Sequence, residues 1–416
     1  MLKKIFPCVS HNAFLCWLGG LFMICIFPAC APENNSFAGR IWHNTNAHYN
    51  AYFLAKEKLK EMDAQILKER KDNYTQLLDI IIPVDTNYAK NLKTFTDYAI
   101  KKSSLAIQHH KISKWTDDDY LIVGKARLYQ ADLGNAIQTF KYVNAQSPDE
   151  AVRHRAMIGL LQAFIWQKEY EKARAAIAYI RKEKLDKANT AEFYLVRSQL
   201  YKELEDYAKT AAAIKLALPL MKRGERKART HFIAGQLYQT LEKNKEAYKN
   251  YKAALKYNPS FELDFNIRLN LIETYQTKTE KDARKLVNLF KKMLYDEKNK
   301  EFKDQVYYKI GLYELKEKHY EKAIGYLKQS VAVSKSNTTQ KSLSYLKMAE
   351  VYYENLQQYE LSSAYYDSTL TILPKNFKSF QAVSKRQQVL KSFVENLNTV
   401  RREDSLQALA RMTPED

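Results

Sequence analysis

The sequence predicts an all-α protein: a right-handed α-solenoid of about seven helical hairpins, preceded by two N-terminal helices and followed by a C-terminal helix. Two observations predict it. Ten glycines and nine prolines in 416 residues, with few alternating apolar and polar runs, leave helices little to interrupt them. One spacing of small and aromatic residues also recurs down the chain. In WTDDDYLIVGKARLYQADLGNAIQTFKYVNAQSP, Trp115 to Pro148, the small residues Gly124 and Ala136 are followed by Phe140 and then Pro148. Small residues let two antiparallel helices approach, Tyr120 and Phe140 fill the space around them, and Pro148 stops the second helix.

Taken in order, the chain opens with Lys3 and Lys4 and an uncharged run, AFLCWLGGLFMICIFPA, that ends at Cys30. This reads as a secretory signal over residues 1–29. The run falls short of the roughly 20 residues that span a bilayer, and Phe27-Pro28-Ala29-Cys30 resembles a bacterial lipobox, so a lipid on Cys30 is expected rather than a transmembrane anchor. All four cysteines lie at or before Cys30. The mature chain therefore has no thiol pair for a disulfide, which a long helical array with a continuous core does not need. Residues 30–43 read as a lipidated tether. An N-terminal helical segment, 44–116, comes next, with a long amphipathic helix from Asn44 to about Lys71 that carries Tyr49, Phe53 and Ala55 to Leu59 on one side. The stretch DNYTQLLDIIIPVDT reads as an apolar turn stopped by Pro83, and a second helix runs from about Tyr88 to His109.

Seven repeats then occupy 117–376, with starts near 117, 154, 191, 228, 264, 304 and 343. The 34-residue spacing of Gly235, Tyr238, Ala247, Tyr251, Ala254 and Pro259 is that of the tetratricopeptide repeat, and the Trp115 segment shares it. Partial copies fall at Tyr170, Ala173 and Ile177; at Tyr201, Tyr207, Ile214 and Ala217; at Ala283 and Val287; at Tyr320, Ala323 and Leu327; and at Tyr353, Tyr359, Tyr366 and Pro374. Each such unit buries its apolar face only against its neighbours, so the array forms one long thin core. A C-terminal helix over 377–416 closes the chain.

The net charge of +20 falls to about +18 once the signal, with its two lysines, is removed. Export argues against nucleic acid as the partner, and the basic residues alternate with Glu and Asp along every helix, as solvated faces do. No catalytic constellation is present: GxSxG, GxxxxGK[ST] and GxGxxG are absent, and no cofactor, metal or small-molecule substrate is expected. His109 and His110 are adjacent, so on a helix they diverge and do not share an ion. Asp117, Asp118 and Asp119 open a helix, where carboxylates cap free N–H groups, a reading preferred over a calcium or general-acid cluster. The tyrosines at packing positions read as core rather than as a stacking surface. The concave face of such an array is built from first helices, and here it offers Lys125, Leu128, Tyr129, Gln236, Gln239 and Thr240 as a candidate protein-binding face.

HHKISKWTDDDYLIVGKARLYQADLGNAIQTFKYV resembles a segment of the SprE/PorW lipoproteins of Bacteroidetes, as do WHNTNAHYNAYFLAKEKLKE, DNYTQLL, DYAIKKSSLAI and REDSLQALARM. The resemblance implies a non-enzymatic adaptor of the type IX protein secretion machinery, with a further role in gliding motility in some bacteria. It also implies a place on the periplasmic face of the outer membrane, where the adaptor links periplasmic ring components to the translocon. Its partners would be proteins of that machinery and, through the lipid, the outer membrane. Ala-Pro-Glu-Asn-Asn after Cys30 agrees, lacking both the inner-membrane Asp and an acidic surface-export run. Family members continue beyond the DSLQALA helix whereas this sequence stops at Asp416, so contacts assigned to that region are not carried over. Two alternatives remain: a SusD-like glycan receptor, which needs a tryptophan-rich platform, and a BamD-like outer-membrane assembly subunit, which has about five repeats.

Overall fold

Caps and turns written in the sequence set the helix boundaries. The computed structural model describes residues 35–412, apart from 71, 276–278, 376 and 378. The expected signal and Cys30 lie outside the described residues, which contain helices and turns and no strand. Two compact units divide the chain, Met1–Lys243 and Asn244–Asp416.

In the first unit, α1 (Phe37–Ala47) starts before the expected Asn44, because the Ser36 hydroxyl accepts from the Gly39 N–H at 3.1 Å and caps it. Helix therefore begins within the stretch expected to be a tether. A π-helical turn, His48–Tyr52, joins α1 to α2 (Phe53–Glu69) without a break. Such a turn widens the helix and rotates the face that later residues present. The buried stripe of α2 runs through Ala55, Leu59, Met62 and Ile66, while Tyr49 and Phe53, expected on one side with Ala55 to Leu59, are exposed. After α2 the chain is non-helical until α3 (Thr86–His109), which the Asp85 carboxylate caps by accepting from Tyr88 N at 2.7 Å.

Helical hairpins come next. They are α4 (Thr116–Tyr129) with α5 (Leu133–Gln146), α6 (Glu150–Trp166) with α7 (Tyr170–Ile180), and α8 (Lys187–Glu203) with α9 (Tyr207–Ala217); α10 (Glu225–Thr240) opens a fourth. Asp132, Asp149, Asp186 and Asp206 cap α5, α6, α8 and α9 with their side chains. The turn inside each hairpin passes through one residue of left-handed backbone, Ala131, Lys168, Glu205 and Glu242 with φ of 60°, 61°, 55° and 58°. The first helices of neighbouring repeats touch, α4 with α6 and α6 with α8. Between them sits Phe140: a Cβ added at Gly124 would lie 2.6 Å from its ring, and one at Gly159 would also lie 2.6 Å from it. The expected closeness at Gly124 is thus real, and Gly159, from the next repeat, completes the clamp.

The second unit holds α11 (Asn244–Ala254), α12 (Phe261–Glu273), α13 (Glu280–Tyr295), α14 (Lys303–Lys316), α15 (Tyr320–Val333), α16 (Thr338–Glu354), α17 (Tyr359–Ile372) and α18 (Phe380–Ala410). Phe265, Leu269, Leu286, Phe290, Val306 and Ile310 form one buried cluster. Two expected packing residues are displaced by one position. Val287 is exposed while Leu286 is buried, and Tyr353 is exposed while Tyr352 stacks on Tyr365 at 5.4 Å. In both cases the helix turns its inner stripe one residue earlier than the partial repeat pattern implied. Beside the apolar contact of Ile324 and Leu327 with α14, polar contacts tie its first turn to the end of α15: Ser330 donates to Asp304 O at 2.7 Å, and Ser334 to Asp304 Oδ2 at 3.0 Å.

These contacts set two expected outcomes. Gly159→Ala overpacks the Phe140 ring and lowers stability by about 1–3 kcal/mol in urea unfolding, and adding Phe140→Leu recovers part of the loss. Lys168→Gly relieves a left-handed backbone that costs an L-residue about 1 kcal/mol, so the same measurement shows no loss and a gain of up to that size.

Candidate functional site

The first helices α4, α6, α8 and α10 of the first unit repeat one positional code. Lys125, Gln162, Gln199 and Gln236 share a position (162 − 125, 199 − 162 and 236 − 199 are each 37), and Asp118, Arg155, Glu192 and Arg229 share another. Of these, Asp118, Lys125, Arg155, Gln162, Glu192 and Arg229 line one cavity of about 530 Å³, walled by α2, residues 80–82 and the four first helices.

At one end of the groove Lys125 pairs with Asp63 of α2 at 2.7 Å and lies over the Tyr129 ring at 5.5 Å. Burial works against its charge, but Tyr129 and the Asp63 carboxylate outweigh burial and hold Lys125 above the ordinary lysine value. Farther along, Arg226 makes a two-pronged contact with Glu192 at 2.8 and 2.9 Å. Burial opposes the Glu192 charge, yet Arg226 prevails and holds the carboxyl below its usual range. Arg155 reaches Asp118 of the preceding repeat at 2.8 Å. Each of these pairs ties two neighbouring elements together.

The stretch expected to be an apolar turn does something else. Residues 72–82 run as a non-helical strap over α8 and α10, with a turn closed by Gln76 N–H donating to Asn73 O at 3.1 Å and bends at 80 and 81. Gln199 Oε1 accepts from the N–H groups of Ile80 at 2.9 Å and Ile81 at 3.1 Å. Gln236 Oε1 accepts from Leu78 N at 3.2 Å, and its Nε2 donates to Gln76 O at 2.8 Å. Arg229 donates to Asp79 O at 2.7 Å and takes Asp72 in a fork at 2.9 and 3.1 Å. Lys202 reaches the Asp79 carboxylate at 2.6 Å. Leu78, Ile80 and Ile81 are buried, and Tyr74 meets Phe232 edge-on with ring centres 5.6 Å apart.

Of the residues expected on the binding face, Lys125 and Tyr129 meet at the α2 end and Gln236 grips the strap. Leu128 is 1% exposed and belongs to the wall. Gln239 and Thr240 close α10, where the Thr240 hydroxyl donates to Gln236 O at 3.1 Å. Arg229, Gln199 and Lys202 were missed. The 37-residue recurrence from Lys125 to Gln236 was the signal that points to Gln199.

The aspartate triplet needs a correction. Its helix has no side-chain cap. Asp117 accepts from Ser147 Oγ at 2.7 Å and Asp118 pairs with Arg155, so both bind the following segment. Asp119 is fully buried against α3, and neither it nor Ser103 completes a hydrogen bond there. Burial pushes its carboxyl up to about 7, the Ser103 hydroxyl only partly offsetting this and the Asp118 charge adding to it. Among the described residues no three His, Cys, Asp or Glu side chains converge as metal ligands.

Comparison with known proteins bears on the hairpins. Residues 228–261 match the family described as tetratricopeptide repeat. Those residues carry a tetratricopeptide repeat. The chain is similar to the apo form of the quorum sensor NprR from B. thuringiensis, with 12% identity, TM-score 0.44 and coverage of 66% of this chain and 80% of that one. It is similar to a tetratricopeptide repeat protein from Parabacteroides merdae, with 14% identity, TM-score 0.33 and coverage of 63% and 96%. The APC/C hetero-tetramer Cut9–Hcn1 matches with 15% identity, TM-score 0.35 and coverage of 73% and 52%. No curated protein matches the sequence. Stacked hairpins of this kind are suited to holding other proteins.

Asp119 sets a pH test. Its raised value means that the fold favours the neutral acid, so its contribution is fully present below about pH 4 and is lost as pH rises through about 7. Asp119→Asn removes that loss. Urea midpoints at pH 4, 6 and 8 are expected to show the variant more stable than the parent at pH 8, with the difference shrinking toward pH 4.

Proposed function

We propose that the protein is a non-enzymatic adaptor of a type IX secretion machinery, held by lipid on Cys30 at the periplasmic face of the outer membrane and linking periplasmic ring components to the translocon. The observation that carries this reading is the meeting of two segments that resemble the SprE/PorW family. WHNTNAHYNAYF and HHKISKW, far apart in sequence, pack as one cluster. Asn44 Oδ1 accepts from Lys114 N at 2.9 Å and from Ser113 Oγ at 3.2 Å. Tyr52 stacks on Trp115 at 4.7 Å, and Trp42 meets His110 edge-on at 5.2 Å. His43 and His110 share a hydrogen bond between their Nδ1 atoms at 2.9 Å, one ring donating and the other accepting. Burial, then the charges of His43 and His109, holds His110 below its ordinary value, consistent with a neutral ring in that pair.

Two further features support the reading. Phe37 and Ile41 are exposed on α1, and the residues between them and Cys30 reach at most about 25 Å, within which a lipid surface is accessible. Among the described residues Trp115 lies against Tyr52 and Trp166 meets Tyr129 edge-on at 5.8 Å, which leaves Trp42 as the one exposed tryptophan. That weighs against the glycan-receptor alternative.

Deleting the gene is expected to abolish export of proteins that carry type IX signals, measured in culture supernatants; unchanged export sinks the proposal. Cys30→Ala is expected to move the protein from the outer-membrane fraction to the soluble periplasm while leaving its thermal melt unchanged.

A further inference from the structure

We infer that the outer face of α1 and of the start of α2 is a membrane-contact surface, which lies in the headgroup region of an anionic lipid layer and sets how the protein stands on it. The inference does not rest on the secretion reading. It adds a second contact to the lipid expected on Cys30.

Three observations carry it. The first is an inversion of size. In steps of four residues, Gly39, His43, Ala47, Ala51, Ala55 and Leu59 form the buried row of this continuous helix. A second row, Phe37, Ile41, Thr45, Tyr49 and Phe53, is exposed throughout, with Phe37 82% and Tyr49 63% accessible. Trp42, beside Ile41, is 44% exposed. Side chains four apart on a helix are neighbours, and the two rows begin two residues, or about 200°, apart. Each step of four carries a row about 40° around an α-helix, and the wider turn at His48–Tyr52 takes back part of that drift. A helix that served only to cover the body would turn its large apolar side chains inward. Here the small ones go in and the large ones face out.

The second is which side chains these are. Tryptophan and tyrosine join an apolar ring to one polar group, and such rings settle where lipid headgroups meet acyl chains. The helix also meets its own polar groups: the Ser36 hydroxyl accepts from Gly39 N–H, Asn46 Nδ2 donates to Trp42 O at 2.9 Å, and Asn50 Nδ2 donates to Asn46 Oδ1 at 3.0 Å. Taking this face out of bulk water therefore strands few donors.

The third is charge. Residues 35–56 and 98–116 hold no Asp or Glu, and they carry Arg40, Lys56, Lys101, Lys102, Lys111 and Lys114. The bonds from Lys114 N and Ser113 Oγ to Asn44 bring the end of the second stretch against α1, with Lys111 and Lys114 exposed there. An aromatic face bordered by cations complements anionic lipid. Cys30 precedes Phe37 by seven residues, so its expected lipid brings a membrane within about 25 Å of this face, which favours lipid over a protein as the occupant. Alone the contact is weak and reversible, because stable anchoring takes two attachments. A chain without the lipid on Cys30 still washes off membranes during fractionation, and in the tethered chain the face sets orientation.

The test uses residues 31–416 without lipid, which keep every described residue, and vesicles of phosphatidylcholine with about a quarter phosphatidylglycerol to supply the anionic surface. Trp42 is the reporter, since Trp115 and Trp166 pack against Tyr52 and Tyr129. Vesicles are expected to move tryptophan emission to shorter wavelength, and brominated acyl chains to quench it. Phe37→Ser, Ile41→Ser and Tyr49→Ser together are expected to raise the lipid concentration at half-binding at least about tenfold, with the thermal melt unchanged. Emission that neither moves nor is quenched at millimolar lipid overturns the proposal, and so does vesicle binding that the triple variant retains. If that variant does not melt like the parent, quenching of the parent by brominated lipid decides alone. Self-association in sedimentation that the serine substitutions abolish, with vesicles ignored, identifies a second copy as the occupant and also overturns it. None of these readouts involves export or Cys30, so failure of the adaptor reading and failure of this surface are separately visible.

Discussion

A non-helical backbone laid against helices must find a partner for each buried N–H and C=O, and the helices it touches have none to spare. That constraint organises the first unit of this protein. Gln199, Gln236 and Arg229 meet it with side chains, and their placement on α8 and α10 fixes where residues 72–82 can lie. Leu78, Ile80 and Ile81 are buried as a consequence, and the adjoining cavity gains an aliphatic wall.

The strap needs a surface whose repeats are in register, and the hairpins provide it through two local devices. Phe140 is held between Gly124 and Gly159, so α4 and α6 are fixed across a single ring. A left-handed residue in every hairpin turn of the first unit, from Ala131 to Glu242, keeps the connection short. The regular period then carries Asp118, Arg155, Glu192 and Arg229 onto the same side, where their alternating signs allow Arg155 to pair with Asp118 of the preceding repeat. The same regularity that builds the core thereby lays down the groove.

Much of the architecture was legible because repeat spacing is a direct image of helix packing. Seven repeat starts were expected, and a helix begins within five residues of each of those places. Where the pattern is partial, reading fails by a residue, as at Val287 and Tyr353, because one turn of helix offers two adjacent positions that both suit an apolar residue. The π-helical turn at His48–Tyr52 escaped detection for a related reason: a single widened turn leaves no compositional trace, and Tyr49 and Phe53, read on one side with Ala55 to Leu59, are exposed while Ala55 and Leu59 are buried. The aspartate triplet was misread because an acid at a helix start has the same appearance whether it caps its own helix or, like Asp117 and Asp118, holds a neighbour.

Spacing and composition alone determine the helical class, the number of repeats and the close approach at Gly124 and Ala136, since each depends on residues within one hairpin. The course of residues 72–82, the burial of Asp119 and the pairing of His43 with His110 depend on residues brought together from distant parts of the chain. Local periodicity holds no record of such meetings, because it describes how a segment folds upon itself and is silent on which surface covers it. Only the tertiary structure shows that the groove with Gln236 on its floor is already occupied by the protein's own chain.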